Sequence, residues 1–174
     1  FIERKESLEE AAQRVLKRKT GISDIYLEQL YTFGETERDP RGRVITVAYF
    51  ALLPHDSVHL LNNACWMPVK KLPSLAFDHN KIVSYGVERV KSKLTYSNII
   101  HNLLPEKFRL SQMLQLYEII LEEPIDKRNF SKKMKSLDLL KPLKETYRVG
   151  NHRPAQLYSF KSKKLETYDT VVKL

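Results

Sequence analysis

Residues 111–160 restrict the fold more than any other stretch of the chain. Ser111 heads an amphipathic run, Gln112 to Glu122, with Met113, Leu116, Tyr117 and Ile120 on one face. Pro124 breaks that run. Asp126 then offers a side-chain oxygen to the first free amides of a second helix, Lys127 to about Leu137. Two strand-like runs follow, Leu139 to Tyr147 and Ala155 to Phe160. Between them lies Arg148 to Pro154, whose Gly150-Asn151 pair suits a hairpin turn. Helix, short turn, basic helix and basic-tipped hairpin make the pattern of a winged helix-turn-helix domain. We expect it over residues 103–165, with 166–174 as a C-terminal tail.

The charge agrees with that order. The chain of 174 residues has 30 Lys and Arg against 21 Asp and Glu, a formal net charge of +9. The surplus leans towards residues 101–174, and the densest basic run lies in the second helix. A surplus of this size points to a polyanionic partner, here double-stranded DNA. A recognition helix enters the major groove with its N-terminal half. Lys127, Lys132, Lys133 and Lys135 can neutralise phosphates. Arg128 can do the same or pair with guanine, and Asn129 can read adenine. On the hairpin, Arg148, His152 and Arg153 can reach a neighbouring phosphate or the minor groove. Phe130, Met134 and Leu137 recur at helical spacing and read as core. Cys65 is the one cysteine and cannot form an internal bridge, so a cytoplasmic protein is expected. No apolar run approaches the ~18 residues of a membrane span, so no membrane partner is expected.

The first part of the chain has a different pattern. Residues 6–19 read as a helix in which Ser7 and Glu10 form a capping box and Leu8, Ala11, Ala12, Val15 and Leu16 share a face. Gly21 suits the C-cap. Strands are expected over Tyr26–Phe33 and Arg43–Leu53, with a third over 64–69 around Trp66. A helix is expected over Ile82–Leu94. Residues 95–105 read as a boundary, so 1–97 form a mixed α/β domain.

Glu6, Arg14, Leu16, Gly21 and Ile22 have the spacing of the Nudix box, G-x5-E-x7-R-E-U-x-E-E-x-G-U, where U is aliphatic. In active Nudix hydrolases the glutamates after the Arg hold a divalent metal; here those positions are Val15, Arg18 and Lys19. Magnesium needs hard oxygen ligands, and two cations reverse the local charge. We therefore expect no metal, no cofactor and no catalysis. The opening glycine would fall before Phe1, so we expect the first strands to lie outside this sequence. The fold class expected is α/β plus α+β: an incomplete Nudix-type αβα sandwich followed by the winged helix.

Further segments occur in order along the whole chain: Arg38-Asp39-Pro40-Arg41, Leu72-Pro73 with Phe77-Asp78-His79, Leu103-Leu104-Pro105-Glu106, Asp126-Lys127-Arg128-Asn129-Phe130 and Arg153-Pro154-Ala155. With them the chain resembles the Nudix-related transcriptional regulators, in which a catalytically dead Nudix domain is fused to a winged helix. The resemblance implies a ligand-responsive, homodimeric regulator of sugar or NAD metabolism that binds operator DNA. It implies an effector that is either ADP-ribose or a sugar such as L-arabinose or another pentose. Arg38, Asp39 and Arg41 sit on a loop suited to phosphate or sugar hydroxyls, and Asp78 and His79 can hydrogen-bond hydroxyls. Two alternatives are a Nudix-type pyrophosphatase with non-standard ligands and a non-catalytic nucleic-acid-binding adaptor.

Overall fold

The computed structural model describes residues 2–54, 58–61, 64–148 and 154–168. The chain divides into two compact units, residues 1–89 and 90–174.

In the first unit, helix α1 (Leu8–Thr20) starts where its cap dictates. The Glu10 amide donates to Ser7 Oγ at 3.2 Å, and the Ser7 amide donates to Glu10 Oε2 at 2.7 Å. Gly21 ends the helix at φ 80°, donating its amide to the Lys17 carbonyl. Strands β1 (Leu27–Phe33) and β2 (Thr46–Ala51) pair antiparallel, with an irregularity between Gln29 and Tyr31. Leu30 and Phe33 of β1 are buried, with Ala11 and Ile22. The strand expected over Arg43–Leu53 is shorter, because pairing stops at Phe33 opposite Thr46. Val44 and Ile45 lie exposed outside the ladder.

The strand expected over 64–69 does not form. Trp66 and Met67 are both exposed, so there is no in-and-out alternation, and Pro68 has no amide to give a ladder. A short 3-10 turn, Val69–Lys71, follows instead. Helix α2 (His79–Tyr96) is longer at both ends than its apolar period suggested. It starts in the first unit, and its last turns belong to the second.

In the second unit, residues 97–100 are part of the core, although the sequence reads as a boundary there. Ser97, Asn98, Ile99 and Ile100 are all 0–1% exposed. A 3-10 turn (Ile99–Leu103) leads to β3 (Phe108–Arg109), a strand too short to show a period. Helices α3 (Leu110–Leu121) and α4 (Lys127–Ser136) follow, then β4 (Leu140–Tyr147) and β5 (Ala155–Phe160). Ser111 is not the N-cap of α3: the pairing of Phe108 and Arg109 with β5 makes Arg109 the last extended residue. Its amide donates to Gln112 Oε1 at 2.9 Å. The sheet order is β3-β5-β4, all antiparallel, which is the winged-helix arrangement. Leu94, Ile99, Phe108, Met113, Tyr117, Phe130 and Met134 are buried together in this unit. Tyr117 meets Phe130 edge-on at 5.2 Å between ring centres. Among the described residues no helix is long and apolar enough to cross a membrane.

Candidate nucleic-acid interface and effector site

Helix α4 is set by its two ends. Glu122 closes α3 at φ 62°, and the Ile125 amide donates to Glu118 Oε1 at 3.1 Å across the turn. The Asn129 amide donates to Asp126 Oδ1 at 2.8 Å, so Asp126 is the N-cap that its sequence position suggested. Phe130 and Met134, one turn apart, are each 1% exposed and fix the rotation of the helix. That rotation leaves Lys127, Arg128, Asn129, Lys132 and Lys135 exposed, with Lys133 half-buried.

The rest of this unit keeps several cations in local pairs. Lys107 bonds Glu145 at 2.7 Å, Lys161 bonds Asp138 at 2.7 Å, and Lys163 bonds Glu106 at 3.1 Å. Among the described residues, none of the five α4 cations takes part in an ion pair. Their charge is therefore not offset by a neighbouring carboxylate and projects into solvent. At the base of the wing, the Arg109 guanidinium lies 4.5 Å from the centre of the Tyr147 ring. Arg109 and Tyr147 are 38 positions apart, and no local pattern in the sequence marks this contact. Arg148 is exposed at the end of the described part of the hairpin. His152 and Arg153 lie outside the described residues.

In the first unit, the five residues expected at the effector site come together. Arg38 grips Asp78 with two parallel bonds, Nε to Oδ2 at 2.9 Å and Nη2 to Oδ1 at 2.8 Å. Its Nη1 donates to Thr46 Oγ1. The Arg38 side chain is 5% exposed, so this pair is a buried tie between loop 34–42 and the start of α2. The bond from Arg38 holds the Asp78 carboxyl below its usual range. Asp39 accepts from Arg41 Nε at 2.9 Å, Arg41 Nη2 at 2.8 Å and the Arg41 amide at 3.0 Å. Those bonds pull the Asp39 carboxyl down to about 2. The Arg41 side chain itself is 72% exposed and lies 4.5 Å over the Phe77 ring. His79 is exposed and meets Phe77 edge-on at 5.8 Å.

Arg38, Asp39 and Asp78 are thus engaged with protein groups. Arg41 and His79 remain accessible, and Phe77, which belongs to a segment of the resemblance but was not expected at the effector site, joins them as an exposed ring. Its sign is backbone: Phe77 sits at φ 56°, a conformation rare for an aromatic residue and invisible in sequence.

The box residues form a structural pair. Arg14 Nε donates to Glu6 Oε2 at 2.8 Å, and Arg14 Nη2 bonds the other oxygen. The Glu6 carboxyl is pulled down to about 2, chiefly by Arg14. Glu6, Glu10, Arg14 and Lys17 line a cleft of about 420 Å³. Val15 is half-buried, while Arg18 and Lys19 are exposed. This residue set does not fit a divalent cation: its one matching carboxylate is committed to Arg14, and the other positions offer a hydrocarbon and two cations.

Residues 1–85 match the NUDIX domain model, and residues 100–160 match that of the NrtR DNA-binding winged helix domain. The chain is 32% identical over 174 residues to the ADPR responsive transcriptional repressor NtrR of Acinetobacter baylyi, covering 97% of this chain and 68% of that protein. The crystal structure of Shewanella oneidensis NrtR complexed with a 27mer DNA aligns with a TM-score of 0.80 at 30% identity, covering 99% of this chain and 83% of that one. Over 86 residues the chain is also 33% identical to the ADP-ribose pyrophosphatase of Methanocaldococcus jannaschii, covering 48% of this chain and 51% of that enzyme. Of the two effectors that the resemblance implied, these relatives' names carry ADP-ribose; none carries L-arabinose or another pentose. The likeness runs through both units, so the chain belongs to the NrtR family of transcriptional repressors, a Nudix domain followed by a winged-helix DNA-binding domain.

Proposed function

We propose that this chain represses transcription by binding operator DNA through α4 and the β4–β5 wing, and that ADP-ribose binding in the first unit alters that affinity. One observation carries the DNA half: four of the five α4 cations stand exposed, and among the described residues none of the five is ion-paired, on a helix whose other face is locked by Phe130 and Met134. Lys127, Lys132, Lys133 and Lys135 neutralise phosphates, Arg128 and Asn129 read base edges, and Arg148, His152 and Arg153 extend the contact from the wing. We allot residues 1–97 to the effector domain and 103–165 to DNA binding. Two copies related by a two-fold axis would read a pseudo-palindromic operator. Such a repressor works in the cytoplasm.

For the effector, Arg41 supplies a guanidinium suited to a diphosphate, and His79 offers a ring nitrogen to ribose hydroxyls. Asp39 orients Arg41, while the Arg38–Asp78 pair fixes the loop beside it. The domain acts as a sensor and not a hydrolase, because the box gives metal-activated water no place to form. The test is fluorescence anisotropy on a duplex selected from a random pool, with ADP-ribose titrated in. We expect one enriched sequence, a steep fall of affinity with salt, and an effector-dependent shift. No enriched duplex would refute the repressor. Magnesium-dependent hydrolysis of ADP-ribose would favour the alternative, a pyrophosphatase like the enzyme matched over 86 residues.

A further inference from the structure

The segment after β5 does not trail away from the winged helix. It turns back and pairs with the residues that follow α2. The Asn98 amide donates to the Glu166 carbonyl at 3.0 Å, and the Glu166 amide donates to Asn98 Oδ1 at 2.8 Å. Asn98 Nδ2 donates to the Lys164 carbonyl at 2.9 Å. Ser97 and Thr167 form an antiparallel bridge, and the Tyr168 amide donates to the Tyr96 carbonyl at 2.7 Å. Asn98 is 1% exposed, and its side chain both donates and accepts here, so an apolar replacement would strand two backbone groups. Tyr168 Oη is buried beside the hydroxyl of Tyr117, so the latch carries its ring inward against a core residue.

We propose that Lys164–Tyr168 is a latch on the end of α2, with Asn98 as its positioning residue, and that it serves the response of DNA binding to effector. The segment it holds, Tyr96–Asn98, is the last residue of α2 and the two after it, and among the described residues α2 is the helix that begins in the first unit and ends in the second. Asp78 and His79, at the start of that helix, belong to the candidate effector cluster. A two-state response can pass along a helix only if its far end is fixed; a frayed end would absorb the displacement. The inference rests on the ADP-ribose reading given above.

Two variants test it. A chain ending at Ser162 removes the latch together with the inward-facing Tyr168 ring, and Asn98→Ala removes only the side-chain bonds of Asn98. DNA affinity is measured by anisotropy with and without saturating ADP-ribose, and ADP-ribose binding by calorimetry. We expect the effector-induced shift in DNA affinity to shrink by at least about five-fold in both variants. The affinity for DNA alone and for ADP-ribose alone should each stay within about three-fold of the unaltered chain. In Asn98→Ala, hydrogen exchange at the Asn98 and Glu166 amides should quicken by at least about ten-fold. An unchanged shift in the shortened chain overturns the latch, as does a parallel loss of DNA affinity and of the circular dichroism of the fold. If the unaltered chain binds DNA with no response to ADP-ribose, the effector reading has failed instead. The latch then stands if those two amides are protected and lose protection in Asn98→Ala, and falls if they do not.

Discussion

Phe130→Ala removes the ring that fixes α4 without touching any residue proposed to face DNA. Phe130 is 1% exposed and packs edge-on against Tyr117, itself fully buried. Truncating such a ring costs about 3–5 kcal/mol, through lost burial and the cavity left behind. An 85-residue unit has roughly 4–13 kcal/mol of stability at about 0.05–0.15 kcal/mol per residue. The variant therefore forfeits a large share of it. With a urea dependence of roughly 1–2 kcal/mol per molar, the midpoint should fall by about 1.5–5 M, or the unit should be unfolded outright. Far-ultraviolet circular dichroism reports all four helices, so the unfolding of α3 and α4 appears as one component of it. Trp66, the one tryptophan, lies in the first unit and reports on that part separately. We expect that component of the dichroism transition to move and the fluorescence transition to stay. DNA binding should be lost for all sequences alike at urea concentrations that unfold the unit. A midpoint shift under about 0.5 M would refute the packing argument, since a ring buried to this degree cannot be removed so cheaply.

Lys132→Ala, two residues further along α4, should leave the urea midpoint alone, weaken every duplex about equally, and lower the salt slope by about one unit; a loss confined to one sequence would contradict a phosphate role. Arg128→Ala should cost ~1–3 kcal/mol at one base position, read by competition with single-base variants of the selected duplex, and an unaltered base preference would sink the base-reading role. In acid, the Glu6 and Asp39 carboxyls, both at about 2 in the folded chain, lend stability that is complete above about pH 4.3 and disappears as pH falls through about 2. Arg14→Gln should flatten the Glu6 part of that loss in urea titrations at pH 7 and pH 3. Gly21→Ala should destabilise the first unit by about 1 kcal/mol or more, because φ is 80° there and a new β-carbon would lie 2.6 Å from Leu61 Cδ1; an unchanged melting midpoint would refute this.

Sequence reading found the elements whose cause is local. The Ser7–Glu10 box, the Gly21 stop and the Asp126 cap are short-range hydrogen bonds between neighbours, so residue type and spacing suffice. The rotation of α4 was legible for the same reason: Phe130 and Met134 repeat at the period of a helix and leave the cations outside. The strand expected around Trp66 does not form because a run of apolar residues needs a partner strand to make a ladder, and among the described residues none pairs with it. Ser111 was misread as a cap because the start of α3 is set by β3 pairing with β5, nearly fifty residues away in the chain.

The candidate site divides along the same line. That Arg38, Asp39, Arg41, Asp78 and His79 matter together was suggested by the family pattern, but their roles were not. Arg38 and Asp78 are forty positions apart, and only folding makes one the other's buried partner. Only folding leaves Arg41 accessible and brings Phe77 beside it. Composition and local pattern determined a capped amphipathic helix near the start of the chain and a basic winged helix, because caps, periods and charge are properties of neighbouring residues; the degenerate Nudix box was read from the family resemblance. Tertiary structure alone decided which cations are paired and which project outward, and that residues 97–100, inside the stretch read as a domain boundary, are core closed by the segment after β5. Those outcomes depend on groups far apart in sequence whose mutual desolvation and hydrogen bonding exist only once the chain has folded.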